Sequence, residues 1–503
     1  MSRILSKTFA IALAAGVAVS SPAAIAAPGD DTSGTQTPAA SARQTIDASK
    51  TGSLTIDKRA GDPGATEHLK GMKFQIEKIK LDNALDTAAG WTEAGNIVDK
   101  GAAQAEKDEA FEEQTLDTND EGTAKFSDLP VGMYRVTELP VEGSKYTVGS
   151  PFLVTIPLTE NDGSINYNPT VSPKNQLIQP TKTSDNKNAN VGDTIKYTIT
   201  APVPAGDVDQ SGSRSIPMLE ISDDLNEHLK YAGSAENVSV SAGNLTLDRD
   251  SASPDYTVTI DGKNLRVAFT KEGLKKLADA RKETPDLQVK VEFNAEVLSI
   301  PANGQIENTA TEHIKDNDIP TTPGGDVEGP TVTHYNDVSI TKNLNGEATE
   351  DGKNGSGAQF QIFECTEQGS EWSVAEGAEP IKGANSEGTA AADATIEAEG
   401  DSSQAAVADG YFLQFDPDKD YCAVETKAPA GYLVNPDPQH LEKTSTKRSG
   451  TERILYTATV NDVKDNIWGK LPATGMRTML IILGLGALLF IGGAAYQLKR
   501  RNA

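Results

Sequence analysis

Three short segments of this 503-residue chain carry a lysine in step with apolar residues: LTIDK, with Leu54, Ile56 and Lys58; IQPTK, with Ile178 and Lys182; and VSITK, with Val338, Ile340 and Lys342. Strand side chains alternate between two faces, so each lysine points to the side that its apolar neighbours bury. An unpaired ammonium facing a core is too costly to persist. Any fold of this chain must therefore supply each lysine with a partner. The same phase argument finds an inward carboxyl in each unit: Glu138 with Tyr134 and Val136 in YRVTE, Asp223 with Ile221 and Leu225 in ISDDL, and Glu425 with Tyr421 and Ala423 in YCAVE. A buried salt bridge, or a solvated face one residue out of phase, would account for any single case. Three recurrences point to a shared arrangement.

The low aromatic content (5%), with many Gly, Pro, Thr and Val residues, predicts an all-β chain of short strands. The ends set the compartment. Arg3 and Lys7 precede an apolar run from Phe9 to Val19 and the small residues Ala24-Ile25-Ala26, the pattern of a cleaved secretory signal peptide over 1–27. A Thr-, Ser- and Pro-rich segment over 28–50 reads as a flexible leader. Met479 to Leu498 is an uncharged stretch long enough to span a bilayer, and Lys499, Arg500 and Arg501 behind it belong on the cytoplasmic side. Six of the 46 basic residues and none of the 73 acidic ones lie in the signal peptide or beyond Thr474, so trimming at both places leaves a net charge of −33. Such a surface argues against nucleic acid and anionic membrane partners.

Just before the apolar stretch stands Leu471-Pro472-Ala473-Thr474-Gly475. In this position it resembles the sorting signal of Gram-positive sortase substrates. GTAKFSDLPVGMYRVTELP (122–140) and YCAVETKAPAGY (421–432), the latter with an E-box pattern, resemble the end of the CnaB-type immunoglobulin-like fold. VGDTIKYTIT (191–200), ISDDLNEHLKY (221–231) and IENTA (306–310) resemble the middle domain of actinobacterial shaft pilins. The resemblance implies three tandem immunoglobulin-like β-sandwiches of the CnaA/CnaB type in an elongated rod. They run over 51–176, ending in a pilin-type motif, 177–335, and 336–465, with the sorting signal, membrane helix and basic tail over 466–503.

It further implies that each lysine forms an amide with an asparagine side chain, promoted by the buried carboxyl and losing ammonia: Lys58–Asn175 with Glu138, Lys182–Asn308 with Asp223, and Lys342–Asn461 with Glu425. Burial favours the neutral amine and the protonated acid that such chemistry needs. Asn175 shares phase with Val171 and Pro173, and Asn308 with Ile306 and Ala310. Asn461 falls out of phase with Val460 unless a bulge intervenes. A sortase is expected to cleave after Thr474 and a pilin-specific one to pass its carbonyl to a lysine of the next identical subunit. The family motif W-x-x-x-V-x-V-Y-P-K is matched at Val171, Pro173 and Lys174, while Ile165, Pro169 and Ser172 replace Trp, Val and Tyr. Lys174 is thus the expected linkage residue, with Lys182 and Lys187 as alternatives. A housekeeping sortase would attach the fibre to peptidoglycan, a tip or minor pilin could accompany it, and the membrane would be a partner only before cleavage. The competing reading is a monomeric wall-anchored adhesin that binds a host protein or glycan.

Cys365 and Cys422, the only cysteines of an exported chain, most simply pair as a disulfide. TKEGLKKLADARK (270–282) predicts a helix capped by Thr270, and AEKDEAFEEQ (105–114) a second helix. The segment 385–410, rich in Ala, Ser and acids, reads as a surface loop. DTNDEGTAKFSD (117–128) approaches a calcium-loop pattern but suits a hairpin turn better. The five histidines show no metal or hydrolytic spacing, so no cofactor, metal or turnover activity is expected.

Overall fold

The computed structural model describes residues 45–465 apart from 62–65, 161–163, 209–212, 325–326, 390 and 449. The signal peptide, most of the leader, Leu471–Gly475, the 479–498 stretch and the basic tail lie outside the described residues. Among those described, no helix is long and apolar enough to cross a membrane.

The chain is all-β, built as successive sandwiches with separate cores. One core draws on Leu54 to Val171, a second on Ile178 to Tyr335, and a third on Val338 to Val460. In the first sandwich, Thr51–Asp57 lies between Thr123–Pro130, antiparallel, and Thr170–Val171, parallel. A sheet containing Lys73–Ile79, Gly132–Leu139 and Phe152–Ile156 covers it. The middle sandwich opposes a sheet holding Thr181–Asp185, Thr194–Pro202 and Gln288–Val297 to one centred on Leu219–Asp224. In the third, Thr331–Leu344 pairs antiparallel with Ala406–Gln414 and parallel with Ile454–Lys464. In each domain the alternation of buried apolar and outer polar positions builds the sandwich.

The two joints between domains differ. Between the first and middle domains a short backbone bridge, Tyr146 with Leu177, is joined by side-chain contacts: Lys145 pairs with Glu328 at 2.7 Å, and the Asn317 amide donates to the carbonyls of Ser144 and Tyr146. Between the middle and third domains the strand Thr331–Leu344 itself crosses over, pairing with Gln305–Asn308 on one side of the boundary and with third-domain strands on the other. Asn190 donates across this joint to the Phe412 carbonyl at 3.0 Å.

The helix after Thr270 forms over Lys271–Glu283, with the Thr270 hydroxyl accepting from the Gly273 amide and Leu277 and Ala278 buried. The acidic stretch 105–114 is not a helix. The first-domain helix is Ala88–Lys100, capped by Thr87, while Lys107 bridges Ile79 at the sheet edge. The repeated acids of 105–114 provide no apolar stripe to hold a helix on the core. Nor is 385–410 wholly a surface loop. Ile396–Glu399 and the start of Ala406–Gln414 are paired strands, and Ala398, Ala406 and Ala408 are fully buried. Small residues fill the core there, so composition concealed a period-two pattern. The segment 117–128 is a turn into Thr123–Pro130, with Asn119 Oδ1 accepting from the Glu121 and Thr123 amides.

Candidate functional site

The three lysines are fully buried at 0% exposure, and each meets a carboxyl from the opposite sheet. In the first domain Thr51–Asp57 and Arg59–Ala60 run parallel to the last strand segments, placing Asn175 opposite Ala60. Lys58 therefore reaches Asn175, with Nζ 2.6 Å from Oδ1, and Glu138 Oε2 at 3.0 Å. Glu138 closes the triangle, its Oε1 accepting from Asn175 Nδ2 at 2.6 Å. Desolvation lowers the Lys58 pKa against the pull of Glu138. The Gly149 amide donates to Glu138 at 2.9 Å, and a Cβ at Gly149 would stand only 3.0 Å from that oxygen. A side chain at this position would crowd that oxygen.

In the middle domain, Lys182 on Thr181–Asp185 contacts Asp223 on the facing sheet. Burial pushes Lys182 down to about 8 and Asp223 up, each against the attraction of the other. Desolvation dominates on both sides, which favours the neutral amine beside the neutral acid. Asn308 is buried against Asp223. Its amide touches that carboxyl without a well-formed hydrogen bond. The Tyr231 hydroxyl fixes the strand by donating to the Asp223 carbonyl at 2.9 Å.

The third domain corrects one expectation. The parallel register runs without a bulge and sets Lys342 opposite Val460 and Leu344 opposite Asp462. The inward phase thus contains Lys342, Val460 and Asp462, and Asn461 points outward. Its side chain accepts from the Gly346 amide instead of reaching Lys342. Lys342 contacts Asp462, and its Nζ lies 2.8 Å from Glu425 Oε1. Burial and contact with Asp462 raise Glu425 to about 7. The Asn435 amide donates to the other Glu425 oxygen at 2.7 Å. A Cβ on Gly355 would collide with the Lys342 side chain, so the lysine's path depends on that glycine.

Aromatic rings line the lysines: Phe74 at 5.4 Å from Lys58 Nζ, Tyr197 at 4.7 Å and Phe293 at 5.6 Å from Lys182, Phe360 at 5.7 Å from Lys342. Sequence reading passed over these rings, as well as Gly149, Gly355 and Asp462. Only Asp462 had a usable signal, since it shares phase with Val460.

Lys174, adjacent to Asn175, is exposed while Val171, Pro173 and Asn175 are buried. It borders a groove of about 290 Å3 between the first and middle domains, lined also by Gly149, Phe152, Pro204, Pro217 and Met218. Lys182 is inaccessible, and Lys187 is exposed in the turn between Thr181–Asp185 and Thr194–Pro202. Cys365 and Cys422 form a disulfide between neighbouring strands. Among the described residues no cluster of His, Cys, Asp or Glu has the geometry to hold a metal ion.

The chain is a series of β-sandwiches, each burying one lysine against a carboxyl of another strand. Residues 34–176 match the N-terminal D1 domain of Gram-positive pilin subunits. The chain is 30% identical to the type 1 fimbrial subunit of Actinomyces viscosus, across 98% of its own length and 97% of that protein's. It is 28% identical to the type 2 fimbrial subunit of Actinomyces naeslundii, across 91% and 92%. The solved fimbrial protein FimP from Actinomyces oris superimposes with a TM-score of 0.54 at 26% identity, covering 84% of this chain and 99% of FimP. The full-length major pilin SpaD from Corynebacterium diphtheriae, at 23% identity with the same coverage and a TM-score of 0.53, shares the fold. The chain belongs to the fimbrial subunits of Gram-positive bacteria, and it is a structural shaft subunit of a cell-surface pilus.

Proposed function

We propose that this subunit polymerises head to tail through an amide between Thr474 of one copy and Lys174 of the next, and that buried lysine amides stiffen each copy from within. The observation carrying this reading is the division of labour in Lys174-Asn175. The first side chain is exposed beside an interdomain groove, and the second is buried against Lys58 and Glu138. A pilin-specific sortase holds the Thr474 carbonyl as a thioester, and the Lys174 amine attacks it. The contact is heterologous, so it repeats without closing. Another sortase transfers the finished fibre to peptidoglycan, and a tip or minor pilin can head it.

Inside the subunit, Lys58 attacks the Asn175 amide while Glu138 hydrogen-bonds the leaving nitrogen. Lys182 and Asn308 each meet Asp223, and the same step there joins the two. Each reaction occurs once per site and releases ammonia, without turnover. In the first domain the reaction joins the first strands to the last, which puts a covalent link in the path of force applied at the domain's termini.

The test is Lys174→Ala, expressed with its own sortases. Loss of the high-mass ladder on a denaturing gel is expected. A persistent ladder moves the linkage to another lysine such as Lys187, and wild-type protein found only as wall-bound monomer favours the adhesin reading.

A further inference from the structure

We propose that the third domain is closed by a different reaction from the other two: condensation of Lys342 with the Asp462 carboxyl, releasing water. This rests on the internal-amide reading above and assigns the chemistry of its third site.

Asp462 occupies the place in the third domain that Asn175 holds in the first. Each lies on the strand running parallel to the lysine strand, faces inward, touches Nζ, and is bridged to the lysine by a glutamate from the opposite sheet. Both carboxyls and the lysine have fully buried side chains, at 0% exposure. One ammonium between two carboxylates would leave a net negative charge in an apolar pocket beside Phe360, at high desolvation cost. One proton must therefore stay on the acid pair. Glu425 Oε1 and Asp462 Oδ2 have no other hydrogen-bond donor, and the two side chains contact each other, which places that proton between them. Glu425 is anchored on its far oxygen by the Asn435 amide, whereas Asp462 Oδ2 is free to depart.

The step balances without a co-reactant. The ammonium gives a proton to Glu425, and the Nζ lone pair attacks Asp462 Cγ. Oδ2 collects two protons through Glu425 and leaves as water as the C–O bond breaks. Glu425 ends as it began, a proton relay, and Lys342 Nζ is bonded to Asp462 Cγ. Asn461 takes no part, because its side chain caps the Gly346 turn outside.

The experiment is exact-mass analysis of the mature ectodomain, with sequencing of its cross-linked peptides. The expected result is loss of two ammonia molecules and one water beyond the disulfide hydrogens, with Lys342 joined to Asp462. Asp462→Ala should abolish only the water loss. Asp462→Asn should restore the link with loss of ammonia, and Asn461→Ala should change nothing. A link from Lys342 to Asn461 or Glu425, or a free Lys342 alongside intact first and middle links, overturns the proposal alone. Absence of every ammonia loss overturns the general reading as well.

Discussion

The lysine clusters of the first and third domains have the same framework and differ in one member, Asn175 in the first and Asp462 in the third. In the first, one carboxyl serves one lysine and one amide, and every polar atom of the Lys58, Asn175 and Glu138 contacts has a charge or hydrogen-bond complement. In the third, two carboxyls crowd one lysine, and the excess acid must hold a proton to remain buried. One framework thus accommodates either an amide or an acid beside the lysine, with a glutamate in contact with both. The middle domain adds a contrast of its own. Glu312 is fully buried on Ala310–Ile314, with neither carboxyl oxygen hydrogen-bonded among the described residues and no lysine beside it to share its proton.

The largest expected effect concerns the relay. Glu138→Gln and Glu425→Gln should each slow amide closure in their own domain by about 10²–10⁴-fold, the usual worth of a positioned acid-base group. Peptide mapping at timed intervals after refolding reads this. Closure at the wild-type rate in either variant would break the parallel between the two sites.

Next come the links themselves. Lys58→Ala and Lys342→Ala each open a loop of 117 or 120 residues. Each should cost roughly 4 to 5 kcal/mol of domain stability on the chain-entropy model. Calorimetry that resolves separate domain transitions would show one transition shifting while the others stay. Removal of the Cys365–Cys422 bridge, which spans 57 residues inside the third-domain loop, should cost less, about 2 to 4 kcal/mol, in the same measurement. It should leave the Lys342 link intact.

The smallest effect tests the lone acid. Burial raises the folded Glu312 pKa well above its unfolded value, so the folded state holds a proton that the unfolded chain releases. Its stabilising share is full below the unfolded value and is lost as pH rises toward the folded one, at up to about 1.4 kcal/mol per pH unit. Denaturant titrations of the middle domain between pH 5 and 8 should show this decline, and Glu312→Leu should flatten it. An unchanged slope in that variant would assign the decline to another group.

Much of this was legible from period alone. Lys58, Lys182 and Lys342 face inward because they alternate with Ile56, Ile178 and Ile340, and Glu138, Asp223 and Glu425 follow the same rule. Asn175 and Asn308 lie in the expected phase. In the third domain the residue type points to Asn461, whereas the strand phase points to Asp462, the side chain that meets Lys342. The helix at 105–114 failed because a run of acids lacks an apolar stripe. The 385–410 loop failed because buried alanines do not look like a core.

The sequence by itself determined the facing of each residue, since alternation is a local property of the extended backbone. It determined the burial of the lysines and the need for partners as well. Only the tertiary structure decided which partners they meet. Register between strands more than 100 residues apart depends on how whole sheets pack, and the parallel pairing of Lys342 with Val460 brought Asp462, not Asn461, to the amine.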